Sequence, residues 1–530
     1  MSWDVVVIGS GFGGAMAAYP LVKRGLRVLM IERGGWVSRG PENWGDRAAG
    51  YISSHFSTES AYRVEDAWPR TKLGSINCVG GQSVFYGGAS YRFRETDFES
   101  DPHIVGESLA QWPIRYADLE PSYDMAERML GVCGESGADP TEPFRQHAFR
   151  HAPSELAPSA TRIASAARRL GLHASRIPLA INFVPASEMA SCIRCGTCDG
   201  FACAAQAKND IATRLIPALI ASGMTLRINT VCTKLLRRGA RITSVECVDR
   251  VTGVTERVDA RHVIVAAGAL ATPHLLLASE LDRVGPAGMI IGRYLTRHCN
   301  SVTFGLFARQ TNPAREYDKQ VAINDFYHGC SDDDAPRGPL GSLQQMTLAP
   351  GLVRASIPRL LGAPAALFLA RAQALLVMAE DQPQSANGVR LDDHASDRYG
   401  MPRLRITHRY SARDRSANRV LASRARAILY EAGALGTCTA DVNTFSHALG
   451  TVRMGVDERS APLDVDGRFR GVNNLFVSDG SALPRSAGLN PSLTIAANAL
   501  RIGTHLAAAQ VSTTPFRNRH LILHPALSTT

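Results

Sequence analysis

The stretch WDVVVIGSGFGGAMAAYPLVKRGLRVLMIE, residues 3–32, decides the fold. It opens with an apolar run, continues with Gly9, Gly11 and Gly14 in the spacing G-x-G-x-x-G, and then becomes an Ala-rich helical pattern. A second apolar run ends at the acidic residue Glu32. This order of strand, glycine turn, helix, strand and terminal acid predicts a βαβ unit that binds a dinucleotide.

Each residue of this turn has an expected role in binding. Gly9 permits the tight turn, Gly11 lets a pyrophosphate approach the backbone, and Gly14 lets the helix pack closely on the sheet. The helix that starts at Phe12 presents its N-terminus to the phosphates. Glu32 stands where a carboxylate accepts hydrogen bonds from a ribose 2'-OH, which disfavours NADP.

The composition indicates a globular protein of enzyme size. The chain has 530 residues, 45% hydrophobic and 20% charged, which argues against small disulfide scaffolds, long disorder and coiled coils. The net charge is +10, but only five of the 58 basic residues are Lys, and Arg is scattered along the whole chain. We therefore expect no nucleic-acid partner.

The start of the chain and its longest apolar stretch bear on localisation. No apolar secretory segment precedes the first strand, so we expect a cytoplasmic protein whose 11 Cys residues stay free or bind metal. The stretch 360–379 is interrupted by Arg371 and runs into Glu380, which disfavours a membrane span. A buried helix that leads into a strand is the expectation there, and an apolar lid or a membrane-surface contact is the alternative.

Two further regions shape the domain prediction. Residues 41–78 are polar and predict loops, and the Gly-rich run 74–88 predicts either backbone pressed against a ligand or an ordinary surface turn. Strands predicted at 226–231 and 263–267 extend the first sheet. Short alternating strands between 300 and 435 predict a second, antiparallel domain inserted in the first.

The chain resembles the glucose-methanol-choline (GMC) flavin oxidoreductases over nearly its whole length. The motifs that carry the resemblance are GSGFGG with Glu32, VGGQSVFYGG, VIVAAGALATP at 263–273, GRYLTRH at 292–298, and a C-terminal block with SHALGTVRMG, NLFVSDGSALP and GLNPSLT. The resemblance implies FAD as the dinucleotide and oxidation of a hydroxyl group to a carbonyl. The fold class expected is α/β, a Rossmann-like FAD-binding domain with an inserted α+β substrate domain.

Two residues are the candidates for the chemistry. His447 is the expected base, because His of near-neutral pKa is suited to take the hydroxyl proton while the carbon gives hydride to flavin N5. Asn490 is expected to hold the substrate hydroxyl, and it also has the sequence context of an N-cap with Pro491 at the first helical position. A helix N-terminus aimed at the flavin would stabilise negative charge on the reduced ring.

The resemblance also implies the residues that hold the flavin. Asp479 and Gly480 are expected near the ribityl or phosphate region, and Val231 near the adenine. The full expected set is Gly9, Gly11, Phe12, Gly14, Glu32, Gly80, Gly81, Ser83, Val231, Ala267, Asp479, Gly480, Asn490 and Pro491.

The His/Asn pair makes the motifs most similar to the pyranose oxidase and cholesterol oxidase branches of the family. Pyranose oxidases attach flavin through a His in the GG loop, and Phe85 stands at that position here, so we expect non-covalent FAD.

The favoured substrate is a sugar, aminosugar or polyol, such as an antibiotic glycoside of the paromamine type. The alternatives are a sterol or other hydrophobic alcohol, or a flavin-binding protein without turnover. An acidic pocket would favour an amine-bearing sugar, and the Asp residues of 332–334 and 392–393 are available for one, although a solvated acidic loop is the favoured interpretation of them. The electron acceptor is O2 or another compound, and the oligomeric state is not predicted.

Four cysteines form the other feature of note. Cys192, Cys195, Cys198 and Cys203 lie within 12 residues, near the four-iron ferredoxin spacing but with one extra residue and no Pro. Three interpretations stay open: structural free or paired thiols, a zinc site, and an iron-sulfur cluster.

The predicted FAD-binding domain comprises residues 1–90, 191–300 and 436–512. The predicted substrate domain comprises 91–190 and 301–435, and 513–530 is expected to be a loose tail.

Overall fold

The computed structural model describes residues 2–40, 56–65, 72–184, 190–314, 316–348 and 368–510. The predicted tail at 513–530 and residues 360–367 of the apolar stretch lie outside these ranges. The strands are β1 (Trp3–Ile8), β2 (Val28–Ile31), β3 (Phe56–Val64), β4 (Lys72–Ile76), β5 (Ala174–Arg176), β6 (Thr225–Arg227), β7 (Thr230–Arg238), β8 (Arg241–Asp249), β9 (Thr255–Val265), β10 (Cys299–Leu306), β11 (Val321–Ile323), β12 (Gly341–Met346), β13 (Ala372–Ala379), β14 (Gly388–Ser396), β15 (Pro402–Thr407), β16 (Gly436–Asp441) and β17 (Leu475–Val477).

The α-helices complete the element order. They are α1 (Phe12–Lys23), α2 (Pro102–Val105), α3 (Tyr116–Leu130), α4 (Pro158–Arg169), α5 (Ile211–Arg214), α6 (Ile216–Ala221), α7 (Ala271–Ala278), α8 (Ala412–Glu431) and α9 (Ser492–Ala509). Within the described ranges, none of the helices is long and apolar enough to cross a membrane.

The first sheet contains the predicted βαβ unit. Its strand order is β6-β2-β1-β9-β8-β7, with β17 also paired to β9. Strand β1 runs parallel to both β2 and β9, while β8 is antiparallel to β7 and β9. The unbroken apolar run Val5 to Val7 is fully buried, as expected for a central parallel strand covered on both faces. The carboxyl ends of the parallel strands therefore meet at one edge of the sheet, where ligands of such folds bind.

The second sheet is the predicted antiparallel sheet. Its order is β16-β10-β13-β12-β11-β5, and all of its pairings are antiparallel. One face packs its apolar side chains, such as Leu343 and Val377, with Leu421 of α8 and Ile163 of α4. The other face meets the dinucleotide-binding unit, since the Ser342 hydroxyl donates a hydrogen bond of 2.9 Å to the Gly488 carbonyl.

A third sheet corrects the expectation of loops at 41–78. Strands β3 and β4 lie there and join β14 and β15 in the order β14-β15-β3-β4. Tyr62 and Val64 of β3 are buried with Leu404 and Ile406 of β15. These strands are stabilised by partners more than 300 residues away, which the local sequence pattern does not reveal. The small sheet joins segments that were assigned to different domains, so the domain boundaries stay a prediction.

Candidate active site

The glycine turn after β1 has the geometry that a pyrophosphate site needs. Gly9 has φ of +101°, and a Cβ on Gly14 would lie 1.9 Å from the Gly9 carbonyl oxygen. By contrast, a Cβ on Gly11 would meet its nearest described neighbour only at 3.9 Å, and one on Gly268 would meet no described atom within 4 Å. Helix α1 begins at Phe12 with no side chain capping its first turn. The donors of that turn therefore face open space beside the glycines.

Glu32 is held at the end of β2 by donors from the same turn. Its carboxylate accepts hydrogen bonds from the Ser10 hydroxyl at 2.6 Å, the Ser10 amide at 3.1 Å and the Gly34 amide at 2.8 Å. Burial raises the pKa of Glu32, and the hydrogen bonds from Ser10 and Gly34 oppose that rise. The amide of Thr230 donates to the Glu32 carbonyl at 3.0 Å, which places the neighbouring Val231 beside this acid.

The second glycine motif packs against the first. The Gly80 amide donates to the Ser10 hydroxyl at 2.9 Å, and a Cβ on Gly81 would lie 3.3 Å from Gly11 Cα. Ser83 donates to the Gly80 carbonyl at 2.6 Å and accepts from the Ile211 amide at 3.1 Å. The run 80–83 therefore forms part of the wall of the dinucleotide cradle.

Asp479 closes the cradle from the C-terminal block. Its carboxylate accepts hydrogen bonds from the amides of Gly268 and Ser481, each at 2.8 Å, and from the Thr272 and Ser481 hydroxyls. Ala267 lies beside the glycine turn, since a Cβ on Gly9 would be 3.1 Å from Ala267 Cα. The residues present thus fit a dinucleotide, because the N-terminus of α1, the open glycines Gly11 and Gly268, and the buried acids Glu32 and Asp479 surround one space.

His447 lies on the segment that follows β16, and the Gly480 turn supports this segment. The Gly450 amide donates to the Gly480 carbonyl at 3.2 Å, and a Cβ on Gly480 would be 3.2 Å from the Ala448 carbonyl oxygen. The His447 side chain is half-buried, and its Nδ1 lies 3.0 Å from Nδ1 of His298. Burial, followed by the neighbouring His298 and Lys319, lowers the pKa of His447 well below its ordinary value. A neutral imidazole at pH 7 is the form that accepts a proton.

Asn490 lies where the C-terminal block meets the segment that follows the second glycine motif. Helix α9 begins at Ser492, with Pro491 as its N-cap, and the Ser492 hydroxyl donates to the Ala89 carbonyl at 2.9 Å. Asn490 is 8% exposed, and its Oδ1 has no hydrogen-bond partner among the described residues. The N-cap interpretation of Asn490 is therefore wrong in this structure: the helix starts one residue later, and the amide oxygen stays unused.

The cysteine loop forms a wall of the site. The Lys208 ammonium group is buried and donates to the carbonyls of Tyr86 at 2.6 Å, Phe201 at 2.7 Å and Cys198 at 3.1 Å. A Cβ on Gly87 would lie 1.6 Å from Asp199 Oδ1 and 2.8 Å from the Lys319 ammonium nitrogen. The loop is thus fixed against the GG motif, with Asp199 and Lys319 beside it.

The metal interpretations of this loop find no support in the geometry. All 11 cysteines are free thiols, Cys192, Cys195, Cys198 and Cys203 among them. Across the parts of the chain that the structure describes, no group of three or more His, Cys, Asp and Glu side chains could hold a metal ion. Burial raises the pKa of Cys192 to about 11, so its thiol stays protonated at neutral pH.

The acidic residues considered for amine recognition lie elsewhere. Asp332 pairs with Arg424 of α8, on the face of the six-stranded sheet away from Gly488. It borders an open depression of about 600 Å³ lined by residues of 328–338. Asp392 pairs with Arg405 at 2.7 Å in the small sheet. The carboxylate that does lie beside the GG motif, Asp199, was not among the predicted site residues.

Sequence reasoning also left His298, Lys208 and Lys319 without a role. His298 ends the GRYLTRH stretch, which carries the family resemblance, and Lys208 follows the four cysteines by five residues. Nothing in the local sequence around Lys319 marks it, because its neighbours Asp199 and Gly87 are distant in the chain.

Three family models match most of the chain. The N-terminal and C-terminal models of the GMC oxidoreductase family match residues 68–300 and 383–499, and a model of an NAD(P)-binding Rossmann-like domain matches 7–68. The 6'''-hydroxyparomomycin C oxidase of Streptomyces lividus is 33% identical, with 96% of this chain and 92% of that protein covered. The paromamine 6'-oxidase of Streptomyces fradiae is 32% identical over the same shares.

A solved structure shares the fold. The crystal structure of pyridoxine 4-oxidase from Mesorbium loti superposes with a TM-score of 0.66 at 20% identity, covering 97% of this chain and all of that one. The matched models and the two Streptomyces relatives identify the chain as a member of the GMC oxidoreductase family, an FAD-dependent enzyme that oxidises alcohols.

Proposed function

We propose that the enzyme oxidises a hydroxyl group of a sugar, aminosugar or polyol, with His447 as the base and Asn490 as the residue that holds the hydroxyl. When bound, FAD accepts the hydride that leaves the carbinol carbon. The hydroxyl proton passes to His447, and the C–O bond becomes a carbonyl, so that two electrons and one proton leave with the hydride and one proton stays on the imidazole.

The observation that carries the substrate class is the polar centre of the sheet face that meets residues 486–490. Ser342 and Asn300 both pair in register with Met378, and residues so paired share a face. Gln344 lies two residues along β12 and donates to the Ser342 hydroxyl at 3.2 Å. Oδ1 of Asn300 and Oε1 of Gln344 have no hydrogen-bond partner among the described residues.

Unpartnered amide oxygens favour a substrate that brings donors. Leaving a buried acceptor unpaired costs about 1–3 kcal/mol. A sugar has several hydroxyl or amino groups that can donate to these oxygens, whereas a sterol with a single hydroxyl has no donor left beyond the group that reacts. The names of the two Streptomyces relatives, an oxidase of 6'''-hydroxyparomomycin C and one of paromamine, favour the same class and a place in antibiotic biosynthesis.

Non-covalent FAD, the acceptor and the compartment are parts of the same proposal. Phe85 has no nucleophilic atom to bond the flavin, so acid precipitation should leave the protein colourless and the supernatant yellow. Either O2 or another compound takes the electrons. The proposed compartment is the cytoplasm, where thiols stay reduced.

A substrate panel tests the proposal. The purified holoenzyme is mixed anaerobically with sugars, aminoglycosides, linear polyols and sterols, and flavin bleaching is followed at the absorbance maximum. Bleaching by a sugar, aminosugar or polyol is the expected result. Bleaching by sterols alone would move the assignment to a hydrophobic alcohol oxidase, and no bleaching by any alcohol would contradict it.

A further inference from the structure

His298 has two hydrogen-bonding nitrogens, and each has a fixed partner. Its Nε2 lies 2.9 Å from the carbonyl oxygen of Ser486, and its Nδ1 lies 3.0 Å from Nδ1 of His447. The two rings meet nearly at right angles, with their centroids 5.1 Å apart. The side chain of His298 has no exposed surface.

The Ser486 carbonyl decides where the proton of His298 sits. A carbonyl oxygen only accepts hydrogen bonds, so Nε2 of His298 carries the hydrogen that bridges them. Burial lowers the pKa of His298, against an opposing effect of the nearby Asp381, so the ring holds one proton at neutral pH. Its Nδ1 then bears a lone pair and accepts from His447.

The backbone around His298 is held in a strained conformation that maintains this arrangement. His298 has φ of +62°, in the left-handed region that non-glycine residues rarely adopt. The amides of Arg297 and His298 donate to the two carboxylate oxygens of Asp381 at 2.8 and 3.0 Å, and the Tyr410 hydroxyl donates to the His298 carbonyl at 2.7 Å. Such strain persists where the surroundings over-determine it, often at functional sites.

Asp381 also holds Ser486, whose carbonyl contacts His298. The Ser486 hydroxyl donates to Asp381 Oδ1 at 2.7 Å, so one buried carboxylate fixes both His298 and the residue whose carbonyl it contacts. Burial alone would raise the pKa of Asp381, but the hydrogen bond and charge of His408 and the hydrogen bond from the Arg297 amide outweigh it and lower the pKa. Asp381 therefore stays ionised and keeps accepting these bonds.

We propose that the Ser486 carbonyl and His298 set the tautomer of His447, so that His447 carries its hydrogen on Nδ1 and presents the bare Nε2 to the substrate hydroxyl. His298 is thus a positioning residue that acts through His447. This inference rests on the proposed function. When Nε2 takes the hydroxyl proton, the Nδ1–H continues to donate to His298, and no proton moves between the two rings.

A tautomer set in this way matters because a base with its hydrogen on the wrong nitrogen cannot accept the proton. In hydrolases of the Ser-His-Asp type, loss of the partner that orients the His costs about 10⁴-fold in kcat. His298 is neutral, and a misplaced His447 would still populate the right tautomer part of the time. We therefore expect a loss of about 10²-fold in kcat for His298→Leu, with KM changed less.

The experiment combines variants with a direct view of the proton. His298→Leu removes the acceptor, whereas His298→Asn keeps an amide oxygen near the place of Nδ1 and should recover most of the rate. His274→Leu is the matched control. His274 is also buried, and its Nε2 lies 2.6 Å from the Pro402 carbonyl oxygen, but it is not one of the residues that link Ser486 to His447. In ¹⁵N-histidine NMR of the wild-type holoenzyme, His447 should show a protonated Nδ1 and an unprotonated Nε2.

Each result decides the inference. Loss of kcat in His298→Leu, recovery in His298→Asn and the Nδ1–H tautomer support it. Unchanged kcat in His298→Leu, or an unprotonated Nδ1 in the wild type, overturns it. If His298→Leu does not fold, the NMR tautomer and the Asn variant still decide. A wild-type enzyme that oxidises no alcohol contradicts the proposed function instead, and the NMR result remains readable in that case.

Discussion

The ammonium group of Lys319 lies 2.9 Å from one carboxylate oxygen of Asp199 and 3.0 Å from the other. Lys319 precedes β11 of the six-stranded antiparallel sheet, and Asp199 lies in the loop that carries the four cysteines. This ion pair therefore joins the sheet to the loop beside Gly87. Both side chains are largely shielded, at 7% and 22% exposure. The charges of the pair are therefore only weakly screened and act on the pKa of neighbouring groups of the site.

The two partners of this pair should shift the pH profile in opposite directions. The positive charge of Lys319 is one of the causes that lower the pKa of His447, after burial and His298. In Lys319→Met the pKa of His447 should rise, so the acid limb of kcat/KM moves to higher pH. In Asp199→Asn the charge of Lys319 is no longer balanced, and the acid limb moves to lower pH.

The measurement is kcat/KM for one alcohol substrate between pH 4.5 and 8. Lys234→Met, which removes an exposed lysine of β7, is the control and should leave the profile in place. Shifts of the same sign in both variants would contradict the electrostatic role of the pair.

Lys208 should stabilise the fold and the binding of FAD through the carbonyls of the second glycine motif and the cysteine loop. Lys208→Met leaves the carbonyls of Tyr86, Cys198 and Phe201 without their donor, and we expect a loss of about 2–4 kcal/mol in the free energy of unfolding. Urea unfolding of the holoenzyme measures this loss. The same variant should release FAD more readily, as followed by flavin fluorescence. Stability equal to that of wild type would show that the three carbonyls find other partners.

Glu32 should contribute to flavin affinity more than to the fold. Glu32→Gln keeps the size of the side chain but replaces one acceptor oxygen by a donor group that faces the Ser10 or Gly34 amide. We expect FAD to bind at least about 10-fold more weakly, a change of about 1.4 kcal/mol. Titration of apoprotein with FAD measures the affinity. An unchanged Kd would place the ribose away from Glu32.

The cysteine loop should prove free of metal. Emission spectrometry of the purified protein should find neither Fe nor Zn at one equivalent per chain, and a thiol titration in denaturant without reductant should count all 11 cysteines. Cys195→Ser should leave the absorbance spectrum of the bound flavin unchanged. Stoichiometric zinc or iron in the wild-type protein would restore one of the two metal interpretations.

The sequence was sufficient where the signal is local. The residues of 3–32 predicted β1, α1 and β2, because a buried parallel strand and a glycine turn leave their pattern in adjacent residues. Helix α8 carries a further local signal, since Ser411 and Asp414 form a capping box at its start. His447 and Asn490 were named from their motifs, and their catalytic roles stay predictions.

What the sequence did not reveal depends on contacts between distant segments. Strands β3 and β4 were expected to be loops, because their pairing partners in 388–407 cannot be found by local alternation. The same holds for His298, whose partners Ser486 and His447 lie 188 and 149 residues away. Asn490 was expected to cap a helix on sound local grounds, but the helix starts at Ser492 and the Asn490 amide oxygen has no partner among the residues that the structure describes.

Anaerobic stopped-flow reduction of the flavin in His447→Ala tests the central claim, that His447 takes the substrate proton, most directly. The variant should keep the FAD absorbance spectrum of the wild type, and its rate of alcohol-dependent bleaching should fall by about 10³-fold. His505→Ala, which removes a surface histidine paired with Asp466, should reduce at the wild-type rate. Bleaching of His447→Ala within threefold of the wild-type rate would contradict the account.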